Sequence, residues 1–286
     1  MRFDGPGSDN FDDRTGQSGG GGMNLGGGLG MILSLVASRF GIVGVLVLLL
    51  GYCALTQLGG GGMVGGGGPT QSGPSKLDPA TGKFMRQVLG STEQVWGQIF
   101  QQAGAKYTPT TLVAYTNYNQ SGCGAAQAAM GPFYCPTDKQ IYIDPAFFNE
   151  LSRRFGAPGD FAQAYVIAHE VGHHIQDLEG TLDKAQAAQA KSNTVGGNQI
   201  QVGVELQADC YAGVWAATAK DSQGRPLLEP GDIAEGMRAA EAIGDDMLTK
   251  GQVSPDNFTH GTSAQRMEAL RNGLSSGNPA NCKYAS

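Results

Sequence analysis

The chain has 286 residues with a formal net charge of −6, and only 15% of its residues are charged. This sparse, acidic charge excludes a nucleic-acid binder that depends on a broad basic surface. Half of the 46 glycines precede position 76, and because they occur in blocks without a G-X-Y period the chain is not collagen-like. The 211 residues after position 75 are enough for one domain with a sizeable core.

Residues 1–38 are rich in Gly, Ser, Asn and Asp and contain few branched apolar side chains over most of their length. A segment of this composition buries too little apolar surface to offset the entropy that it loses on ordering. We therefore predict that residues 1–38 form a disordered tail.

Residues 39–58 are predicted to form a transmembrane helix. The stretch Phe40–Leu58 carries no charge over 19 residues, close to the roughly 20 that cross the hydrocarbon core of a bilayer as a helix. A buried core helix and a cleaved signal peptide are the alternatives. The signal peptide is disfavoured because the apolar run follows a long polar tail and lacks a clear small-residue cleavage site. The lipid bilayer is thus the predicted partner of residues 39–58.

Basic residues around this segment predict its orientation. Arg39 flanks it closely on the N-terminal side, and the first basic residue after it is Lys76. This asymmetry favours a single-pass protein with its tail inside and its domain on the extracytoplasmic side. Residues 59–75 are then a Gly-rich flexible tether, and residues 76–286 form the domain.

Four cysteines belong to the domain, and a fifth, Cys53, lies in the predicted span. An even number suits disulfides in an oxidising compartment outside the cytoplasmic membrane, whereas four free thiols are the alternative. Cys123 and Cys135 bracket a Gly-containing segment that a disulfide could close into a loop of about a dozen residues. A disulfide between Cys210 and Cys282 would hold the C-terminal tail.

The domain is predicted to be helix-rich α+β. Apolar residues recur at near-helical spacing over about 80–104, which predicts a helix. Strand-like runs follow at Thr111–Tyr118 and at Gln140–Asp144, and the second alternates as a half-buried strand does. From Asp160 to about residue 250 the pattern is helical. Two loops interrupt it, at Gly196-Gly197 and at Gly224–Pro230.

The segment AYVIAHEVGHHIQ places His169, Glu170 and His173 in an HExxH pattern. Residues i and i+4 share one face of a helix, so both imidazoles can bind the same metal ion. Glu170 is offset by about 100 degrees, so its carboxylate can reach a metal-bound water without binding the metal. Two imidazoles and an open coordination position favour Zn²⁺. Histidines paired with carboxylates in an ordinary helix are the alternative.

A catalytic zinc ion needs a third protein ligand. The metzincin pattern is absent, because Gln176 and Glu179 stand where it requires Gly and His. We predict Glu205, in an apparently helical segment, as the third ligand. Asp209, one turn later, is predicted to accept the outer N–H group of one of the two ligand histidines. Glu179 is the alternative ligand, and a solvated helix edge is the alternative explanation of Glu205 and Asp209.

The fourth histidine, His260, lies in FTHGTSAQR just before a predicted helix. Its side chain is predicted to donate a hydrogen bond to the oxyanion of a tetrahedral intermediate. Arg266 is predicted to hold the helix of Glu205 and Asp209 or a substrate carboxylate. Helix capping at the surface is the alternative for both residues.

HEVGHH, ELQADC, THGTSAQR, CGAAQAAMGPFYCP, AIGDD and the start MRFDGPGSDNFDDR together resemble the bacterial neutral zinc metallopeptidases of the gluzincin-like HExxH class. The resemblance covers nearly the whole chain. It implies a zincin fold, zinc on His169, His173 and Glu205, Glu170 as the catalytic base, and a single span in the bacterial cytoplasmic (inner) membrane. It implies no particular substrate, and it assigns no role to His174.

The predicted function is that of a membrane-anchored, zinc-dependent peptidase. Glu170 takes a proton from the attacking water and delivers it to the leaving amine. The strand at residues 140–144 is expected to bind an extended peptide or protein substrate by edge pairing. The alternatives are a membrane-tethered protein with structural zinc that binds another envelope protein, and a peptidase that cuts within the bilayer. A single span and a domain with polar loops disfavour the second.

Overall fold

The computed structural model describes residues 1–18 and 71–284. Residues 19–70, with the predicted span 39–58 and most of the predicted tether 59–75, lie outside the described residues. The strands are β1 (Phe11–Asp13), β2 (Gln17–Ser18), β3 (Gln71–Ser72), β4 (Thr111–Ala114), β5 (Tyr118–Ser121), β6 (Gly124–Gln127), β7 (Phe133–Cys135) and β8 (Gln140–Ile143). The helices are α1 (Pro79–Gln102), α2 (Ala146–Arg153), α3 (Asp160–Leu178), α4 (Thr181–Gln189), α5 (Thr194–Thr218), α6 (Asp232–Ala242), α7 (Asp245–Leu248) and α8 (Ser263–Ser276).

The predicted helix-rich α+β class is confirmed. The main sheet has four strands in the order β1-β4-β8-β7, in which β1, β4 and β8 are parallel and β7 is antiparallel to β8. β5 and β6 form a separate antiparallel pair, and the two-residue segments β2 and β3 form a two-stranded sheet of their own. The prediction that the strand at 140–144 offers a free edge is wrong, because β8 is hydrogen-bonded on both sides. β7 is the edge strand beside it.

Most of the predicted elements are present with shifted ends. The helix predicted at about 80–104 is α1, whose N-terminus is capped by the Asp78 side chain. The run Thr111–Tyr118 is not one strand, because the chain turns at Asn117, where φ is 61°. The Asp144 carboxylate accepts the Asn117 backbone N–H at 2.7 Å and stabilises this turn. β4 therefore ends at Ala114 and β5 begins at Tyr118.

The loop predicted at Gly196-Gly197 is wrong. Both glycines lie in the first turn of α5, whose N-cap residue Asn193 accepts the Gly196 backbone N–H at 2.8 Å. A good N-cap offsets the low helix propensity of two glycines. The loop predicted at Gly224–Pro230 is confirmed between α5 and α6.

α5 lies at the centre of the helical layer, between α3 on one side and α8 on the other. Where α5 and α8 cross, the backbones are so close that side chains do not fit. A Cβ atom on Gly213 would lie 2.4 Å from the Leu270 carbonyl oxygen, and one on Gly273 would lie 2.0 Å from that of Cys210. Both positions therefore require glycine for this packing.

The prediction of a disordered tail is wrong for residues 1–18, whereas residues 19–38 lie outside the described residues. β1 pairs in parallel with β4, Phe11 opposite Leu112. The Phe11 side chain is only 8% exposed, and the Arg86 guanidinium lies 4.2 Å from the centre of its ring. Backbone pairing and burial of an aromatic ring stabilise this segment against the entropy that it loses on ordering.

The chain returns to the domain beside the point where it leaves. The Gly73 backbone N–H donates to the Gly16 carbonyl at 2.9 Å, and that of Lys76 donates to the Thr15 hydroxyl at 3.0 Å. The end of the predicted tether is therefore part of the domain. A chain that crossed a bilayer once between residues 18 and 71 would place β1 and β4 on opposite sides. Their pairing is incompatible with the predicted arrangement of tail inside and domain outside.

Among the helices that the structure describes, none is long and apolar enough to cross a membrane.

Both predicted disulfides are present. Cys123 and Cys135 are bonded with their Cα atoms 5.8 Å apart, which joins the turn of the β5–β6 hairpin to β7. Cys210 and Cys282 are bonded with a Cα separation of 5.6 Å, which joins α5 to the C-terminal segment. Each disulfide closes a loop and so restricts the unfolded chain.

We expect the substitution Phe11→Ala to lower the free energy of unfolding of the domain by about 3 kcal/mol, because it removes a buried ring from the sheet edge. Urea denaturation measures this loss. Asp9→Ala, an exposed position two residues earlier, is the matched control and changes the free energy by less than about 0.5 kcal/mol. Equal stabilities of the two variants would mean that the N-terminal residues do not belong to the fold.

Candidate metal centre and active-site cleft

Two packed helices bring the predicted metal ligands together. α3 carries His169 and His173, and α5 carries Glu205. The helices approach closely at Gly172, where a Cβ atom would lie 2.9 Å from both the Cα and the carbonyl oxygen of Ala208. The glycine inside the HExxH pattern therefore permits the short distance between the two ligand-bearing helices.

One nitrogen of each imidazole and one carboxylate oxygen converge on a common point. Nε2 of His169 lies 3.2 Å from Oε2 of Glu205, and Nε2 of His173 lies 3.7 Å from the same oxygen. The three donor atoms all lie within 4.8 Å of one another. Two imidazoles and a carboxylate in this arrangement match the ligand set of a zinc site that keeps an open coordination position.

The outer nitrogen of each imidazole has its own partner. His169 Nδ1 donates to Asp209 Oδ1 at 2.7 Å, as predicted for Asp209. His173 Nδ1 donates to the Gln176 side-chain oxygen at 2.9 Å. These bonds leave Nε2 of both rings free to bind a metal. The role of Gln176 was not predicted, although its position three residues after His173 places it on the same helix face.

Asp209 is the centre of a buried network that joins three helices. Its carboxylate accepts hydrogen bonds from the Tyr165 hydroxyl at 2.5 Å and from Arg266 Nε and Nη2 at 2.8 and 2.9 Å. Burial by itself would raise the pKa of Asp209, but the Arg266 and His169 side chains hold it at about 2. Arg266 is 2% exposed, so it holds the helix of Asp209 and is not a surface cap.

The electrostatics of the site fit a bound cation. Glu205 and Glu170 are both buried, and within the described residues neither forms an ion pair with a lysine or an arginine. Burial alone would lower the pKa of His169, but Asp209 and Glu205 raise it to about 10. The surrounding carboxylates thus favour positive charge at the point where the donor atoms converge. A divalent cation bound there would neutralise the buried carboxylate of Glu205.

Glu170 and His260 line the same cleft, which has a volume of about 780 Å³. Burial raises the pKa of Glu170, and no hydrogen bond among the described residues holds its carboxylate. His260 Nδ1 lies 3.2 Å from Asp245 Oδ1. The other Asp245 oxygen accepts the backbone N–H groups of Thr259, His260 and Gly261. Asp245 therefore fixes both the loop and the ring of His260.

Asp245 was not predicted as a site residue. It lies 15 residues before His260, and no local pattern in the sequence connects the two positions. The alternative ligand Glu179 is wrong, because its carboxylate accepts the Tyr211 hydroxyl at 2.7 Å at the far end of α3. Its side chain does not belong to the converging donor atoms.

The walls of the cleft differ in character. One wall is formed by β7 and its flanking residues, and another by polar side chains of α4 and α5. The remaining lining is largely apolar. The lining residues include Met130, Pro132, Phe133, Tyr134, Pro136, Phe147, Val166, Asp183, Gln186, Gln189, Gln201, Ile243 and Leu248.

Known proteins resemble the chain over two thirds or more of its length. The model of a protein family described as "Putative neutral zinc metallopeptidase" matches residues 1–284. The Escherichia coli protein with the name Uncharacterized protein YpfJ is 44% identical over 281 residues, which are 96% of this chain and 95% of that protein. An uncharacterized protein of Mycobacterium tuberculosis is 41% identical over 203 residues, 67% of this chain and 66% of its own. No solved structure matches.

We expect Arg266→Ala to lower the free energy of unfolding by about 3 kcal/mol, because it leaves the buried Asp209 carboxylate without its cation. The measurement is urea denaturation of the metal-free protein. Arg271→Ala is the control on the same helix, where an exposed arginine pairs with Glu268, and its effect stays below about 1 kcal/mol. A small effect of Arg266→Ala would contradict the central position of the Asp209 network.

Proposed function

The chain belongs to this family of zinc metallopeptidases, and on that premise we propose that it is a zinc-dependent peptidase that hydrolyses peptide bonds in the cleft. The observation that carries the proposal is the convergence of His169, His173 and Glu205 beside the buried carboxylate of Glu170. A purely structural zinc site has four protein ligands and no use for a fifth, acid–base group.

We assign zinc binding to the two imidazoles and the Glu205 carboxylate. When bound there, zinc would supply Lewis-acid chemistry toward the peptide carbonyl and would lower the pKa of a water molecule. The side chains of the protein do the rest of the chemistry. Asp209 and Gln176 hold the ligand imidazoles in the tautomer that presents Nε2 to the metal.

Glu170 is the proposed general base. It follows the ligand His169 directly, so its carboxylate lies beside the metal centre without belonging to the ligand set. It takes the proton of the attacking water and delivers it to the nitrogen of the leaving amine. The raised pKa of Glu170, which burial causes, suits a group that must first accept a proton and then return it.

His260 is the proposed donor to the oxyanion that forms on the peptide carbonyl. Burial by itself lowers the pKa of His260, but the hydrogen bond that its Nδ1 donates to Asp245 and the negative charge of the nearby Glu205 raise it. The charged imidazolium is thereby favoured. With Nδ1 directed at Asp245, the other nitrogen is available as a donor to developing negative charge.

The edge strand β7 is the proposed binding site for an extended peptide. An edge strand has backbone N–H and C=O groups that are not paired within its own sheet, and an added strand can use them. β7 and both of its flanking prolines line the cleft that contains Glu170. The sequence predicted that residues 140–144 bind the substrate by edge pairing. We assign this role to residues 133–135 instead.

We propose that the domain works in an oxidising compartment outside the cytoplasm, which its two disulfides support. Residues 1–18 share that compartment, because they pair with the sheet of the domain. Attachment of residues 39–58 to a membrane stays a prediction from their hydropathy, but without the single crossing that the pairing of β1 with β4 excludes.

The substitution Glu170→Gln should abolish turnover and leave the metal in place. We expect kcat to fall by at least about 100-fold, because the amide cannot accept the proton of water, while zinc content stays equal to that of the wild type. Peptide-library cleavage and elemental analysis on the same samples measure both. Unchanged cleavage by the variant would refute the assignment. Full zinc content with no cleavage by the wild type would instead favour a zinc-binding envelope protein that is not an enzyme.

Glu205→Ala should lower the zinc content well below one ion per chain, because it removes one of three ligands. Glu179→Ala is the matched control, since it removes a carboxylate bound to Tyr211 and should leave the zinc content unchanged. If the two variants bound zinc equally, Glu205 would not be a ligand.

A further inference from the structure

His174, the residue that follows the second ligand histidine, points away from the metal centre and has two partners of its own. It is 1% exposed. Its Nε2 donates to the Thr108 carbonyl oxygen at 2.7 Å, and its Nδ1 lies 3.1 Å from the Tyr134 hydroxyl oxygen. Because a carbonyl only accepts, the hydrogen of Nε2 is fixed by this contact.

Tyr134 belongs to the edge strand β7, and its hydroxyl meets two side chains of α3. Besides His174, it contacts Asp177, to whose carboxylate it donates at 2.7 Å. His174 and Asp177 are three residues apart and so lie on one face of α3. The hydroxyl has one hydrogen for these two acceptors, so it donates to only one of them at a time, and its oxygen packs beside the other.

The rings around His174 add packing to this contact. The imidazole meets Tyr134 with ring centres 5.5 Å apart and Tyr107 with ring centres 6.0 Å apart. Lys139, at the other end of the β7–β8 turn, lies 3.5 Å from the Asp177 carboxylate. β7 is thus connected to α3 at more than one point, and α3 is the helix that carries His169 and His173.

We propose that His174 and Tyr134 are positioning residues that hold the edge strand β7 at a fixed distance from the ligand-bearing face of α3. The inference rests on the proposed function, because the distance matters when a peptide paired with β7 must place its carbonyl at the metal centre. His173 faces the metal while the next residue, His174, faces the strand. One turn of α3 therefore determines both the position of a proposed metal ligand and the position of the edge strand β7.

The test is Tyr134→Phe, which removes the hydroxyl and keeps the ring. For an extended peptide we expect KM to rise about fivefold, the effect of losing one buried hydrogen bond, with unchanged zinc content. A blocked dipeptide, too short to pair along β7, should be cleaved as by the wild type. The matched control is Tyr142→Phe on the adjacent strand, whose hydroxyl bonds to Asp138 instead. It should leave the KM of both substrates unchanged.

His174→Ala should raise the same KM, and His174→Gln, which keeps a donor and an acceptor, should restore part of the loss. In the double variant of His174→Ala and Tyr134→Phe the two fold-changes should not multiply fully, because the two substitutions share the contact between His174 and Tyr134. Equal effects on the long and the short substrate, or independent effects of the two substitutions, would overturn the proposal.

Amide hydrogen exchange separates this inference from the proposed function. In Tyr134→Phe the backbone N–H groups of residues 133–135 should exchange about fivefold faster than in Tyr142→Phe. If the wild type cleaves no peptide but this difference is present, the positioning role holds and the peptidase assignment fails. If the wild type is active and the exchange rates are equal, the positioning role is refuted alone.

Discussion

The buried ion pair between Asp209 and Arg266 is the interaction on which the metal centre depends. It joins α5 to α8, and through the Tyr165 hydroxyl and His169 Nδ1 the same carboxylate also holds α3. Burying a carboxylate and a guanidinium is costly unless each has well-placed partners. Here Asp209 accepts four hydrogen bonds, and one of them comes from a ligand imidazole. The orientation of His169 is thus set by Asp209, 40 residues away in the chain, and Arg266 in turn holds Asp209 in place.

Such a network requires helices that are unusually close. α5 meets α3 at Gly172 and Ala208 and meets α8 at Gly213 and Gly273, so small residues lie at both crossings. Because helices cover both sides of α5, Glu205 and Asp209 are shielded from water, which strengthens every charged interaction around them. The glycine within the HExxH segment has no part in the chemistry. It permits the close approach that brings Glu205 to the two imidazoles.

That His169 and His173 share one helix face was predictable because helical periodicity is local: residues four apart share a face wherever the helix lies. The same rule placed Asp209 one turn from Glu205. β1 was not predictable, because three residues have no periodicity and their stability comes from pairing with Leu112–Ala114, about a hundred positions away. The average composition of residues 1–38, which is dominated by Gly, Ser, Asn and Asp, also concealed the contribution of one buried aromatic residue, Phe11. Alternation in Gln140–Ile143 identified a strand but not its neighbours, and Asp245 reaches His260 through a tertiary contact that no local pattern encodes.

The two edges of the main sheet differ in what lies beside them. β1, from the N-terminal residues, pairs with β4 and is itself the strand at one edge. The opposite edge, β7, has no further strand paired to it among the described residues and faces the cleft, although an open edge invites pairing with other chains. Its features limit that risk: β7 has three residues, prolines precede and follow it, and Cys135 is bonded to Cys123. A strand this short offers few hydrogen bonds to a folded partner. Under the proposed function, a flexible peptide that also reached the metal centre would gain from both contacts, and this would favour substrate over self-association.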